Sequence, residues 1–237
     1  MICRIINIVA MLNVKNTIAT ACLDALTPHY CCSCGAIGAV LCEGCKYDIT
    51  SEPFSHCLRC LVPSHRGALC QSCHGLYDQA FVVGWRETAL EKLIDASKFD
   101  SIREGCDVQA ELLHSVLPTF PANTRLVPVS TIRPHIRRRG YGHVERIARR
   151  LADIRGCAVD SSIVRITNSV QHGATKSARL KQAKMAFDLK GTVSDDVTYI
   201  ILDDVYTTGA TIDAVARLLR NAGAKHIWIA VTSRQPK

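Results

Sequence analysis

The stretch YIILDDVYTTGATIDAVARLLRNAGAKHIWIAVTS, residues 199–233, decides how the rest of the chain is read. YIIL is a short apolar run with β-branched residues, the pattern of a buried strand. IDAVARLLRNAG has helical spacing and closes on Gly223. HIWIAVTS is a second strand. Strand, helix, strand in that order is a βαβ unit, so the expected sheet is parallel at its centre. The first strand is expected to end at Asp203 and Asp204, on the carboxyl edge where open α/β sheets bind ligands. The turn that follows, residues 206–211, sets the hydroxyls of Thr207, Thr208 and Thr211 beside Gly209. Glycine lets the backbone approach closely, and successive N–H groups in such a turn form an anion-binding concavity. The helix beginning near Thr211 adds its positive end. A phosphate cradle therefore adjoins two carboxylates. Carboxylates repel phosphate, so their expected partners are sugar hydroxyls or a hydrated Mg²⁺. The competing reading is a plain connection whose threonines only cap the helix.

Upstream of this unit the pattern stays α/β. AFVVGWR (80–86) reads as a buried strand, and ETALEKLIDASKF as a helix with Leu90, Leu93, Ile94 and Phe99 at helical spacing. Residues 103–116 continue as a second helix. RLVPV (125–129) is a strand, the Arg/Gly-rich stretch through Gly142 a loop, and HVERIARRLADIRG an amphipathic helix stopped by Gly156. Residues 163–190 read as a short strand, a polar loop, a basic helix and a strand near Phe187. The expected organisation is a helical lead-in over 1–27, a cysteine-rich module over 28–76 and an α/β domain over 77–237.

The 237 residues carry 29 Lys and Arg against 21 Asp and Glu, a net charge of +8 that suits phosphorylated or polyanionic partners. Eleven of the 13 cysteines precede residue 75, unlike the even spread of a disulfide-stapled secreted protein. No apolar run reaches the ~20 residues of a membrane span, and no signal cleavage site is evident. The expected setting is cytoplasmic and reducing. Four knuckles stand in series: Cys31-x2-Cys34, Cys42-x2-Cys45, Cys57-x2-Cys60 and Cys70-x2-Cys73. Eight thiolates match two tetrahedral Cys₄ zinc sites, which would staple a segment too short to bury a core. Sequential pairing of the knuckles is the simplest, and interleaved pairing stays open. Redox-active pairs or an iron–sulfur cluster compete, but a redox motif needs one CxxC in a βαβ context rather than four in a row. Cys32 is read as a spare beside the first knuckle.

Residues 133–150 hold seven Arg and two His against one Glu. Arg137, Arg138 and Arg139, placed on a loop after a strand, suit bidentate contact with a diphosphate or with nucleic acid. Tyr141 beside them could stack on a base. Arg146, Arg149 and Arg150 read better as a solvated helix face. Gln171-His172-Gly173, with Lys176 and Arg179 downstream, is a second candidate loop for closing over a diphosphate.

An apolar strand, two acidic residues and T-T-G-x-T resemble the 5-phosphoribosyl 1-diphosphate (PRPP) motif of type I phosphoribosyltransferases. That resemblance implies that Asp203 and Asp204 hold the ribose hydroxyls, while Tyr206, Thr207, Thr208, Gly209, Ala210 and Thr211 wrap the 5-phosphate. Taken in order, the knuckles, VPVS, RRRGYGH, QHG with its basic run, and LDDVYTTGAT resemble the ComF family, which includes GntX. The chain departs from the family pattern at Ser130, at residues 141–143 and at residues 172–174. The resemblance implies a type I phosphoribosyltransferase-like parallel sheet flanked by helices, with a small N-terminal double zinc ribbon. It implies a link to handling incoming single-stranded DNA in natural transformation but no settled reaction; the expected function is PRPP binding with Mg²⁺ and transfer of phosphoribosyl to an unidentified acceptor. The alternative it implies is a non-catalytic competence factor that binds single-stranded DNA and works with the DNA-uptake machinery in natural transformation. A PRPP sensor without turnover is a third reading.

Overall fold

The computed structural model describes residues 29–73, 75–166 and 186–236. The expected lead-in over 1–27, the loop at 171–173 and the basic run with Lys176 and Arg179 lie outside the described residues. Helix α1 (Glu43–Ser51) and one 3₁₀ turn (Gln71–Cys73) belong to the cysteine-rich segment. Then come β1 (Gln79–Trp85), α2 (Thr88–Lys98), α3 (Glu104–Val116), β2 (Thr124–Pro128), α4 (Arg133–Arg139) and α5 (His143–Arg155). They are followed by β3 (Ala158–Val159), β4 (Ile163–Arg165), β5 (Phe187–Leu189), β6 (Thr198–Tyr206), α6 (Ala210–Asn221) and β7 (His226–Arg234).

Five strands form one sheet in the order β1-β7-β6-β2-β3, with every pairing parallel. β4 and β5 make a separate antiparallel pair. β6 is central and almost wholly buried, as expected of a parallel strand covered on both faces. Its side chains alternate between two cores. Tyr199 and Ile201 join the α6 side, with Ile212, Val215 and Leu219. Ile200 and Leu202 join the side covered by α2, α3 and α5, with Leu93, Leu113, Ile147 and Leu151.

The cysteine-rich segment divides between these cores. Phe54, Cys57, Leu58 and Leu69 pack into the α6 side. Cys31, Val40, Leu41 and Cys45 pack into the other.

Two expectations need correction. Residues 133–139 are not a loop but the helix α4. Pro134 stands in its first turn, where a missing N–H costs nothing, and Gly140 ends it at φ 80°. Those start and stop signals sit in plain sight in RPHIRRRG, hidden by its charge density. β6 also runs past the aspartates to Tyr206. β7 accompanies it there, pairing Asp203 with Val231 and Tyr206 with Arg234, whereas β2 leaves it after Leu202.

Candidate functional site

The connections leaving β2 and β6 diverge. The chain after β2 runs through α4 and α5 to β3 at one edge; the chain after β6 runs through α6 to β7 on the other side. Adjacent parallel strands whose continuations part in this way open a crevice at their carboxyl ends. A cavity of about 300 Å³ lies there, lined by Ser130 and Thr131 after β2, Asp203 and Asp204 on β6, Thr211 on α6 and Lys98 at the end of α2. His135, Arg139, His143 and Arg165 extend its polar lining.

Asp204 is the best-anchored group in this cavity. Lys98 Nζ lies 2.6 Å from its Oδ2, and His143 Nε2 bonds the same oxygen. Burial alone would raise the Asp204 pKa, but the charge of Lys98 and the contact with His143 outweigh it and hold the carboxyl well below the usual range. The other ring nitrogen, His143 Nδ1, accepts from Arg139 Nη1 at 2.8 Å. Arginine has only donors, so Nε2 must carry the hydrogen that His143 gives to Asp204. The close contacts of Lys98 and His143 both go to Asp204 rather than to Asp203. Asp203 Oδ1 accepts the Asp204 N–H at 2.9 Å. Burial, and then the neighbouring Asp204 charge, push its pKa up to about 8.

The turn after β6 is held in an unusual shape. Gly209 has φ +78°, and a Cβ there would lie 2.1 Å from the Tyr206 hydroxyl oxygen. Tyr206 is buried, and its carbonyl accepts from Arg234 Nη1 at 3.1 Å and from the Gln235 N–H at 3.0 Å, so this residue of the expected phosphate-binding stretch is already occupied within the protein. Thr207 and Thr208 are exposed. Gly209 is the N-cap of α6, and no side chain caps that helix. Thr208 Oγ1 accepts from the Ala210 N–H only at a long 3.4 Å. The threonines are therefore not occupied as caps, and the first N–H groups of α6 retain donor capacity.

The arginine triplet does not act as a unit. Arg139 is buried against His143, while Arg137 and Arg138 are exposed on the outer side of α4. Tyr141 is not free to stack: its hydroxyl donates to Ser97 O at 2.7 Å and the Arg103 guanidinium sits 5.4 Å over its ring. A larger hollow of about 660 Å³ lies along α5, between Tyr141, Arg146 and Arg149. Arg146 is spent on Asp107 at 2.6 Å and Arg150 lies 3.8 Å from Glu111. That hollow is lined by Asp107, Glu145 and Asp153, spread over α3 and α5, and does not lie at the carboxyl ends of the strands; the switch-point cavity is the better chemical candidate. Nothing in the local sequence marks Lys98 or His143 as a partner of Asp204. Lys98 ends an ordinary amphipathic helix, and only the tertiary fold aims it at Asp204.

The cysteines gather into two groups, Cys31, Cys34, Cys42, Cys45 and Cys57, Cys60, Cys70, Cys73, each with all sulfurs within 4.8 Å of one another. Cys31–Cys45 and Cys34–Cys42 separations are 3.7 and 3.6 Å, and Cys60–Cys70 is 3.6 Å. Four Zn–S bonds of ~2.3 Å in a tetrahedron require sulfurs roughly 3.8 Å apart, so both groups fit a closed metal site. The pairing is the sequential one. Cys32 lies outside both groups, its thiol pushed up to about 11 by burial and the neighbouring Cys31.

The Phosphoribosyl transferase domain model matches residues 136–237. The DNA utilization protein YhgH of Salmonella typhi is 33% identical over 112 residues, covering 46% of this chain and 49% of that one. Competence protein F of Haemophilus influenzae is 27% identical over 80% of this chain and 88% of its own length. Competence protein ComFC of Streptococcus pneumoniae is 26% identical over 79% and 84%. The chain is thus similar to the ComF competence proteins along most of their length and carries a phosphoribosyl transferase domain match. The first two relatives, both YhgH proteins of Salmonella, are matched over less than half of their length, whereas the two competence proteins are matched over most of theirs. A solved hypoxanthine phosphoribosyltransferase from Staphylococcus aureus shares 15% identity over 58% of this chain and 65% of its own, at a TM-score of 0.35. Among the described residues no helix is long and apolar enough to cross a membrane.

Proposed function

We propose that the switch-point cavity binds PRPP. Asp203 and Asp204 would hold the ribose hydroxyls, and the backbone of Thr207, Thr208, Gly209, Ala210 and Thr211 would close around the 5-phosphate. The observation that carries this reading is the uncapped start of α6, bent back by Gly209 at φ +78°, beside a cavity floored by two aspartates. Asp204 arrives preset by Lys98 and His143, so little reorganisation is needed when a hydroxyl bonds to it. Asp203 suits a ligand-borne Mg²⁺, which when bound would neutralise charge on the departing diphosphate. Arg139 and Arg165 supply fixed positive charge along the same wall. The two cysteine groups would hold structural Zn²⁺; a closed Cys₄ site leaves no open position for catalysis. Calorimetry with PRPP and Mg²⁺ tests the site: saturable binding supports it, and no heat at millimolar ligand removes it. A PRPP-dependent assay for released diphosphate across bases, amines and single-stranded DNA tests phosphoribosyl transfer. Elemental measurement should return about two zinc per chain.

A second reading is a competence role through single-stranded DNA, in a cytoplasmic setting. Arg137 and Arg138, exposed on α4, favour it, as do the relatives' names. Binding of a fluorescent single strand should then weaken steeply with salt. A salt-independent signal counts against phosphate contacts.

A further inference from the structure

The two cysteine groups are not equivalent in what they touch. The second group has two residues, Leu58 and Arg59, between its first two ligands. Both reach the turn after β6. The Leu58 carbonyl accepts Arg234 Nε at 3.0 Å. The same guanidinium, through Nη1, donates to Tyr206 O at 3.1 Å and Thr207 O at 2.8 Å, and stacks 5.1 Å over the Tyr206 ring. Arg59 Nη2 lies 3.3 Å from Asp213 Oδ2, and the Asp213 N–H donates to Gly209 O at 2.8 Å. Leu58 through Arg234 therefore holds the entry of the turn, and Arg59 through Asp213 holds its exit into α6. Between those ends Thr207 and Thr208 are exposed. The first group packs on the opposite face of the sheet. Polar contacts tie its segment to the helices there, as from Lys92 Nζ to Ser33 O at 3.0 Å.

We propose that the second cysteine group is the anchor of the phosphate-binding turn, and that Arg59 and Arg234 are its positioning residues. This rests on the reading of the turn as a phosphate site. A metal at Cys57, Cys60, Cys70 and Cys73 fixes the backbone of residues 57–60, so it fixes where the Leu58 carbonyl and the Arg59 side chain stand. Those two points set the direction of the amides between Tyr206 and Ile212. A loop's binding power depends on such preorganisation, because every N–H not already aimed must be ordered when ligand arrives. The first group stabilises the fold without reaching the turn.

Arg59→Met tests this by two measurements. In amide hydrogen exchange, residues 207–212 should exchange faster than in the unaltered protein, with the strands of the sheet unchanged. In calorimetry with ribose 5-phosphate, affinity should fall about ten-fold at unchanged zinc content, and Arg59→Lys should recover most of it by keeping a cation against Asp213. Lys92→Met, which releases the first group's contact, should alter neither. Unchanged exchange at residues 207–212 in Arg59→Met would overturn the anchor whatever the ligand proves to be. Equal loss in Arg59→Met and Lys92→Met would reduce it to general stability. Should the unaltered protein bind no ribose 5-phosphate, the reading of the site fails, while the exchange data still decide the anchor.

Discussion

Lys98 Nζ stands 2.6 Å from Asp204 Oδ2, joining the last turn of α2 to the carboxyl end of the central strand. Both side chains are mostly buried, so the pair is shielded from salt and water. Replacing Lys98 by Met leaves a buried carboxylate with His143 alone. We expect a loss of about 3 kcal/mol at pH 7, at the lower end for broken buried pairs because His143 remains. The folded-state pKa of Asp204 is depressed, so the stabilisation is present above the unfolded value near 4 and lost as pH falls below it. Urea unfolding should therefore show the gap between the two proteins narrowing below pH 4. A gap that stays constant into acid would mean the lysine acts through packing, not charge.

His143 makes a different demand, on a tautomer. Arg139 donates to Nδ1, so the ring hydrogen belongs on Nε2, facing Asp204. Nitrogen-15 NMR of the imidazole should show an unprotonated Nδ1 and a protonated Nε2. Arg139→Met removes the donor that enforces this, and should allow the second tautomer to appear. A ring already mixed in the unaltered protein would contradict the geometry.

Asp203 titrates in the opposite sense to its neighbour. Burial and the Asp204 charge raise its pKa to about 8, against ~3.9 in the unfolded chain. Between those values the folded state holds a proton that the unfolded state has lost, so stability falls as pH rises through that window. The melting temperature, measured relative to Asp203→Asn, should decline from pH 5 to pH 8. A flat difference would place Asp203 in contact with water or an unnoticed cation.

The α/β order, the parallel sheet and the cysteine knuckles are legible in the residues because each has a local cause: apolar runs of strand length, a βαβ sequence, cysteines in CxxC pairs; which knuckles pair is decided only by the fold. Asp203 and Asp204 are also legible as candidates, since they directly follow the apolar run YIIL. What could not be read was reach. Lys98 and His143 are 106 and 61 residues from Asp204 along the chain, and ordinary helices carry both. Arg137 to Arg139 looked alike because charge carries no direction. Helix α4 rotates Arg139 inward and leaves the other two outside. Tyr206, expected at the start of the turn, is instead the last residue of strand β6.

Gly209 offers the sharpest test of the turn itself. Its φ of +78° lies in the left-handed region, which costs a β-branched residue heavily, and its missing Cβ makes room for the Tyr206 hydroxyl. Gly209→Val meets both obstacles at once. Either the backbone leaves φ +78° and the first amides of α6 swing away, or Tyr206 is expelled from beneath Arg234. Strain of this kind costs roughly 1–3 kcal/mol. Tyr206→Phe is the instructive companion: it deletes the oxygen nearest the new Cβ and should recover part of the stability of Gly209→Val, without restoring the backbone angle. Denaturant titration of both single variants and the double variant reads that coupling. PRPP calorimetry should show affinity still lost in the double variant, because the amides remain displaced. Strict additivity in stability would mean that Tyr206 and Gly209 do not share the space the structure gives them.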